Sequence, residues 1–310
     1  MASPLRIAAA FVAALALPGA AFGGTLTLHP AGFGTMSYSS WKAQSGLPDD
    51  TLGNANQALY FQKMTPTTTF AAGVAVFKGI AGLGLRASQL VGLAWEHRED
   101  GHCGAGAPRW NISVRDSAGN NYPVELLGCQ VAIHREDGTG SGHTWCSDVQ
   151  PATSISGAIT SVTGVSDLGT LTVTGLAIVF DEGNEQPNPS ALPDCPREDP
   201  GPSGNVNLDN IEIAAKTSTS TSVYCWPAAD DNGNANNGMY TVSNSPCREL
   251  TSNDICPPPC GAVAAPVVPT VSLPLGVAVD PTDTELVNAL NLAYPGVALT
   301  DWLLYPYVVS

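Results

Sequence analysis

The sequence predicts an all-β protein: an antiparallel β-sandwich (jelly roll), then a small Cys-rich module and a short C-terminal tail that contains a helix. Three observations predict it. Short runs rich in Val, Ile, Thr and aromatics recur along the chain, several with the apolar–polar alternation of a half-buried strand. Gly (32) and Pro (25) punctuate these runs in a chain of 310 residues, which suits tight turns and disfavours long helices. The strand–helix–strand text of a parallel sheet is missing.

Met1 to Arg6 reads as a short basic n-region, Ile7 to Leu17 as an apolar h-region, and the small residues around Ala21-Phe22-Gly23 as a cleavage site. Residues 1–23 are therefore expected to be a signal peptide, and the mature protein secreted or periplasmic. The h-region is too short for a membrane span, and no later segment reaches that length.

The sandwich is expected over residues 24–215. Thr25 to His29 alternates as a strand, Pro30 to Asn56 reads as loops and short edge pieces, and Ala58 to Lys63 and Thr67 to Phe77 read as strands. Leu83 to Leu90 reads as a turn or short helix, and Leu90 to Trp95 as a core strand. Arg109 to Arg115 and Tyr122 to Leu127 form a predicted hairpin turning at Ser117 to Asn121. Ile155 to Gly164 and Leu168 to Phe180 carry the densest β-branched text and are expected to be strands. Gly204 to Ile213 closes the domain.

Lys216 to Ser222 is a low-complexity seam. Residues 216–261 are expected to be the Cys-rich module, too short to bury a core without bridges, and residues 262–310 a Pro-rich linker and helical tail. In that tail Thr282 and Glu285 form a capping box, and Leu286, Val287, Leu290 and Ala293 make an apolar stripe. Its apolar sequel, Trp302 to Val309, has to pack on its own domain or on a partner, which makes self-assembly through the tail an expectation.

Composition narrows the partners. Twelve basic against 27 acidic residues give a formal charge of −15, which repels phosphate backbones and excludes nucleic acid as an expected partner. The eight cysteines of an exported chain read as disulfides: Cys103, Cys129, Cys146, Cys195, Cys225, Cys247, Cys256 and Cys260. Cys103 and Cys129 flank the hairpin, where a bridge closes its open end. Cys103 with Cys146 is the rival pairing.

One polar phrase occurs twice, His97-Arg-Glu-Asp-Gly101 and His134-Arg-Glu-Asp-Gly138, and each copy follows an apolar strand. This predicts two turns brought to one rim. The candidate ligand-binding residues are His97, Glu99, Asp100, His102, Arg109, Trp110, His134, Asp137, His143 and Trp145. Imidazoles and carboxylates in this pattern suit a transition metal or a metal-assisted hydrolase. The plainer expectation is that Arg98 and Arg135 pair with the neighbouring acids, that the histidines are solvated, and that the rim is structural. Asp181, Glu182 and Asp209 supply the hard oxygens of a structural Ca²⁺ site. Asp230 to Gly238 has the look of an EF-hand loop but lacks the closing Glu and the entering helix.

The phrase Val206-Asn-Leu-Asp-Asn-Ile-Glu-Ile213 resembles the last strand of galactose-binding-like and carbohydrate-binding-module jelly rolls, and Ala177 to Asp181 resembles the strand that pairs with it. Gly101-His-Cys-Gly-Ala-Gly-Ala-Pro-Arg-Trp110 looks like a phrase of uncharacterised bacterial exported proteins. The resemblance covers residues 25–215 and implies a non-catalytic exported protein that recognises glycan or a cell-surface component. Trp41, Tyr60, Trp95, Trp110 and Trp145 are its available aromatic platforms.

Overall fold

The computed structural model describes residues 26–46, 57–98, 101–104, 106–129, 133–140, 143–184, 204–216, 221–226, 240–241 and 275–305. For 133–140, 143–144, 146, 221–223, 225–226 and 240–241 it describes the backbone alone. The strands in chain order are β1 (Thr27–Phe33), β2 (Ser37–Lys42), β3 (Ala58–Lys63), β4 (Ala72–Lys78), β5 (Leu90–Arg98), β6 (Arg109–Arg115), β7 (Asn121–Glu125), β8 (Ile133–Gly140), β9 (His143–Pro151), β10 (Thr172–Phe180), β11 (Asn205–Lys216), β12 (Thr221–Trp226), β13 (Tyr240–Thr241), β14 (Val277–Ala278) and β15 (Leu303–Leu304). The helices are α1 (Ala152–Thr163) and α2 (Thr284–Ala293).

The strands form two antiparallel sheets packed face to face. One runs β14-β15-β1-β4-β10-β6-β7 and the other β13-β12-β11-β5-β9-β8, with β3 and then β2 attached at β11. The expected sandwich is observed. Strand alternation explains the packing, because every second side chain enters the interior. Leu28, Phe77, Trp110, Ile112, Ile178 and Phe180 from the first sheet meet Leu59, Phe61, Leu93, Trp95, Leu208 and Ile213 from the second. Each fully buried large side chain there contributes about 1.5–3 kcal/mol.

The two sheets exchange backbone contacts at a corner where β2 leaves β1. A Cβ on Gly73 would lie 2.4 Å from the Tyr38 carbonyl oxygen, and one on Gly32 would lie 2.6 Å from Tyr38 Cα. Only glycine permits that approach. Ser39 Oγ fastens the crossing by accepting from the Ala31 N–H at 3.0 Å and donating to the Val74 carbonyl at 2.5 Å. The segment expected to hold loops and edge pieces thus contains β2, whose Trp41 is fully buried.

Ile155 to Gly164 is a helix, not a strand. Pro151 precedes it in extended conformation, Gly164 ends it at φ 70°, and Ile155 and Ile159 are buried one turn apart. The i, i+4 spacing and the terminal glycine outweigh the β-branched composition. In the tail the cap sits one residue later than expected. Asp283 accepts from the Leu286 N–H at 3.1 Å, while Glu285 accepts from the Gly79 N–H at 2.6 Å.

α2 lies on the outer face of the first sheet. Leu286, Leu290, Ala293 and Trp302 pack against Val74, Val76, Ala177 and Val179, and Trp302 meets Phe33 edge-on at 4.9 Å. The tail's apolar stripe is therefore covered within its own chain. β12 continues the second sheet from β11 across the seam placed at 216. No helix among the described residues is long and apolar enough to cross a membrane.

Candidate functional site

The two copies of the repeated phrase flank a single strand. His97 near the end of β5 pairs in register with Cys146 of β9, and Cys146 pairs on its other side with Glu136 of β8. The register sets the backbones of the two copies on either side of β9, and the second copy lies within a strand instead of a turn.

The first copy turns inward. On one face of β5, Trp95 and His97 point toward the hairpin mouth, and β9 places Asp148 opposite Trp95. The Asp148 carboxylate accepts from the Trp95 indole N–H at 3.1 Å and pairs with His97 Nδ1 through the same oxygen. The His97 and Asp148 side chains are 0% and 1% exposed, so the pair is fully desolvated. The Cys103–Cys129 disulfide closes the hairpin as expected, with Cα atoms 5.5 Å apart, and the alternative Cys103–Cys146 pairing does not form. Cys103 Sγ lies 3.8 Å from the same Asp148 oxygen.

A second polar group sits beside this one, nearer solvent. His102 Nε2 pairs with the Glu182 carboxylate and is itself 2% exposed. The glycines at 104 and 106 make room for it, since a Cβ on Gly106 would lie 2.2 Å from Glu182 Oε1. Arg109 grips Asp181 with both terminal nitrogens, at 2.5 and 2.9 Å, and donates to the Gly106 carbonyl at 2.9 Å. Burial pulls the Arg109 pKa down, but the hydrogen bonds and charge of Asp181, helped by Glu125, more than offset it and hold it above the ordinary value. Tyr294 is shifted up by burial and then by the Asp181 charge.

The expected exposure is overturned for His97 and His102. His97 and His102 are buried against carboxylates, because the alternation of β5 and the fold of the following turn aim them at the core. The aromatic platforms are also interior: Trp41, Trp95, Trp110 and Trp145 are at most 2% exposed, and Tyr60 is 4% exposed. Trp110 stacks between Trp95, at 5.2 Å, and Phe77, at 5.6 Å.

The carboxylates expected to hold Ca²⁺ are engaged by the chain's own cations and amides. Asp181 has Arg109 at its carboxylate, and its backbone carbonyl accepts from the buried Lys63 ammonium at 2.7 Å. That ammonium also reaches the carbonyls of Thr67 and Thr69 at 3.0 and 2.9 Å. It sits in a carbonyl cage of the kind a metal cation takes. Asp209 faces away on the other side of the second sheet, where its Oδ1 accepts from the Asn210 N–H at 2.7 Å. Asn210 has φ 44° at a bulge in the β11–β5 ladder, which turns its amide onto Glu96 at 2.7 Å. The Asp-Asn-Ile phrase thus has a local job in bending the strand.

Glu99, Asp100, Cys195, Cys247, Cys256 and Cys260 lie outside the described residues, as do residues 1–23 and the Asp230 to Gly238 loop. So do the side chains of His134, Asp137, His143, Cys146 and Cys225.

Sequence reasoning missed Asp148 and Lys63. Asp148 carries no local signal, because its partners come from β5, which only long-range pairing brings beside β9. No family model, curated protein or solved structure matches the chain.

Proposed function

We propose that this is an exported, non-catalytic β-sandwich protein that binds or builds at the cell surface, with glycan or another surface component as its target. On this reading the repeated His-Arg-Glu-Asp-Gly rim is structural, not a reaction centre. The observation that supports it is the burial of His97, His102, Arg109 and Trp110 against the protein's own groups. A general base has to reach the substrate proton within hydrogen-bond distance, and these side chains spend their contacts internally. Export is consistent with the Cys103–Cys129 bridge. Binding then falls to the surface rather than to the buried tryptophans.

The test is a screen of the purified full chain against immobilised polysaccharides and against chromogenic glycoside, ester and phosphate substrates. Retention without turnover is the expected result. Turnover that disappears in His102→Ala, with the melting temperature preserved, would replace this reading by the rival one, a metal-assisted hydrolase at the repeat.

A further inference from the structure

Four side chains from three parts of the fold converge at the hairpin mouth. His97 comes from β5, Asp148 from β9, and Cys103 and Cys129 from the two arms that lead out of β6 and β7. One ligand atom from each lies within 4.8 Å of every other, and all four residues are buried. We propose that, once the Cys103–Cys129 disulfide is reduced, these four side chains form a tetrahedral Zn²⁺ site that disulfide formation closes.

The donor set is two thiolates, one imidazole and one carboxylate, which suits zinc in a closed site. Around a tetrahedral zinc the donors stand roughly 3.3–3.8 Å apart, so the sulfurs need only separate by side-chain rotation once their bond is gone. The backbone holds both cysteines without the bridge. The Cys129 N–H donates to the Gly104 carbonyl at 2.9 Å, the Gly104 N–H donates to the Ala107 carbonyl at 2.8 Å, and the Leu126 N–H donates to the Trp110 carbonyl at 2.9 Å. A second shell is also in place, because the Trp95 indole N–H fixes the Asp148 carboxylate at 3.1 Å.

The chemistry balances with a dithiol as reductant. A dithiol such as dithiothreitol gives up two electrons and two protons, becomes a cyclic disulfide, and leaves Cys103 and Cys129 as thiols. Zn²⁺ then displaces the two thiol protons, and the His97–Asp148 hydrogen bond gives way to a bond from each residue to the ion. A small disulfide such as oxidised glutathione reverses the step: it takes two electrons from the two thiolates, is itself cleaved to two thiols, and leaves the Cys103–Cys129 bond, which withdraws two of the four donors and releases Zn²⁺. The site is the same whatever surface component the protein binds.

The experiment uses the full chain, reduced with dithiothreitol, desalted without oxygen, and loaded with Zn²⁺ alone. Alkylation of each cysteine is followed by peptide mass spectrometry, with and without a chelator. Cys103 and Cys129 are expected to be protected at least about tenfold by zinc, and the oxidised protein to take up no zinc at this site. Trp95→Phe, which keeps an aromatic ring in the core, is expected to weaken the zinc affinity about tenfold. With Co²⁺ as the probe, the thiolate charge-transfer band is expected to be lost in Cys103→Ser/Cys129→Ser. Equal alkylation rates of Cys103 and Cys129 with and without zinc in the wild-type chain would overturn the proposal, whether or not the variants fold.

Discussion

The Lys78 ammonium donates to Asp283 at 2.7 Å and so ties the end of β4 to the cap of α2, 205 positions away in the chain. The same carboxylate caps α2 through the Leu286 N–H. Asp283→Ala removes both contacts and is expected to cost about 1–2 kcal/mol in urea denaturation. Lys78→Met keeps the cap and is expected to cost less than about 1 kcal/mol, since both side chains are 29% exposed. The Lys78 hydrogen bond holds the Asp283 carboxyl below its ordinary value of 3.8. Its stabilisation is therefore complete above that value and is lost as the pH falls below it. Wild type and Asp283→Asn should converge in melting temperature over that acid range.

His29 gives a second pH window, at higher pH. Burial and then the Lys78 charge lower its pKa from the ordinary value of 6.5. The unfolded chain binds the proton more readily, so stability is complete above 6.5 and declines as the pH drops through the folded value. Thermal melts from neutral to mildly acidic pH should show the decline, and His29→Gln should flatten it.

Asp148 is an acceptor that Trp95 and His97 share. Asp148→Ala takes that acceptor from two buried polar groups and is expected to cost about 3–5 kcal/mol in chemical denaturation, as expected for half of a buried pair removed alone. A cost below about 1 kcal/mol would show that solvent reaches the pair.

The disulfide closes a loop with a sequence separation of 26, and chain entropy puts its contribution at about 3–4 kcal/mol. Cys103→Ser/Cys129→Ser should lower the melting temperature under oxidising conditions and abolish most of the destabilising effect of dithiothreitol at that bridge.

The corner between the sheets predicts a sharp contrast between two glycines. Gly73→Ala drives a methyl group to 2.4 Å from a backbone oxygen that has nowhere to go, and is expected to cost at least about 1–3 kcal/mol. A methyl group on Gly82 would meet nothing within 4 Å, so Gly82→Ala should leave the melting temperature unchanged.

Much of the sandwich was legible because strand text is local. Ala58 to Lys63 is a short apolar and aromatic run and is β3, and the Arg109 to Leu127 hairpin announces itself by its turn residues. α1 was hidden because its Thr and Ile content argues for a strand while only Ile155 and Ile159, a turn apart, argue for a helix. β2 was hidden because Ser37, Ser39 and Ser40 are polar on paper but buried beside other backbone. At the candidate site His97 could be singled out from the repeated phrase, and the Cys103–Cys129 bridge is preferred over Cys103–Cys146 because those two cysteines flank the hairpin. Asp148 could not, because its partnership with His97 depends on which strand lies next to β5, and that is a long-range fact.

β15 pairs with β1 through Ala31 and Gly32. One of the last strands in the described chain thus seals the edge of the first, and a ribosome that has made β1 through β13 has still not made its covering partner. Until residues 303–304 emerge, that edge is an open template for another chain. Sheet closure is therefore a late event in the molecule's synthesis, and a chain cut short before α2 would carry a sticky first strand for its whole lifetime.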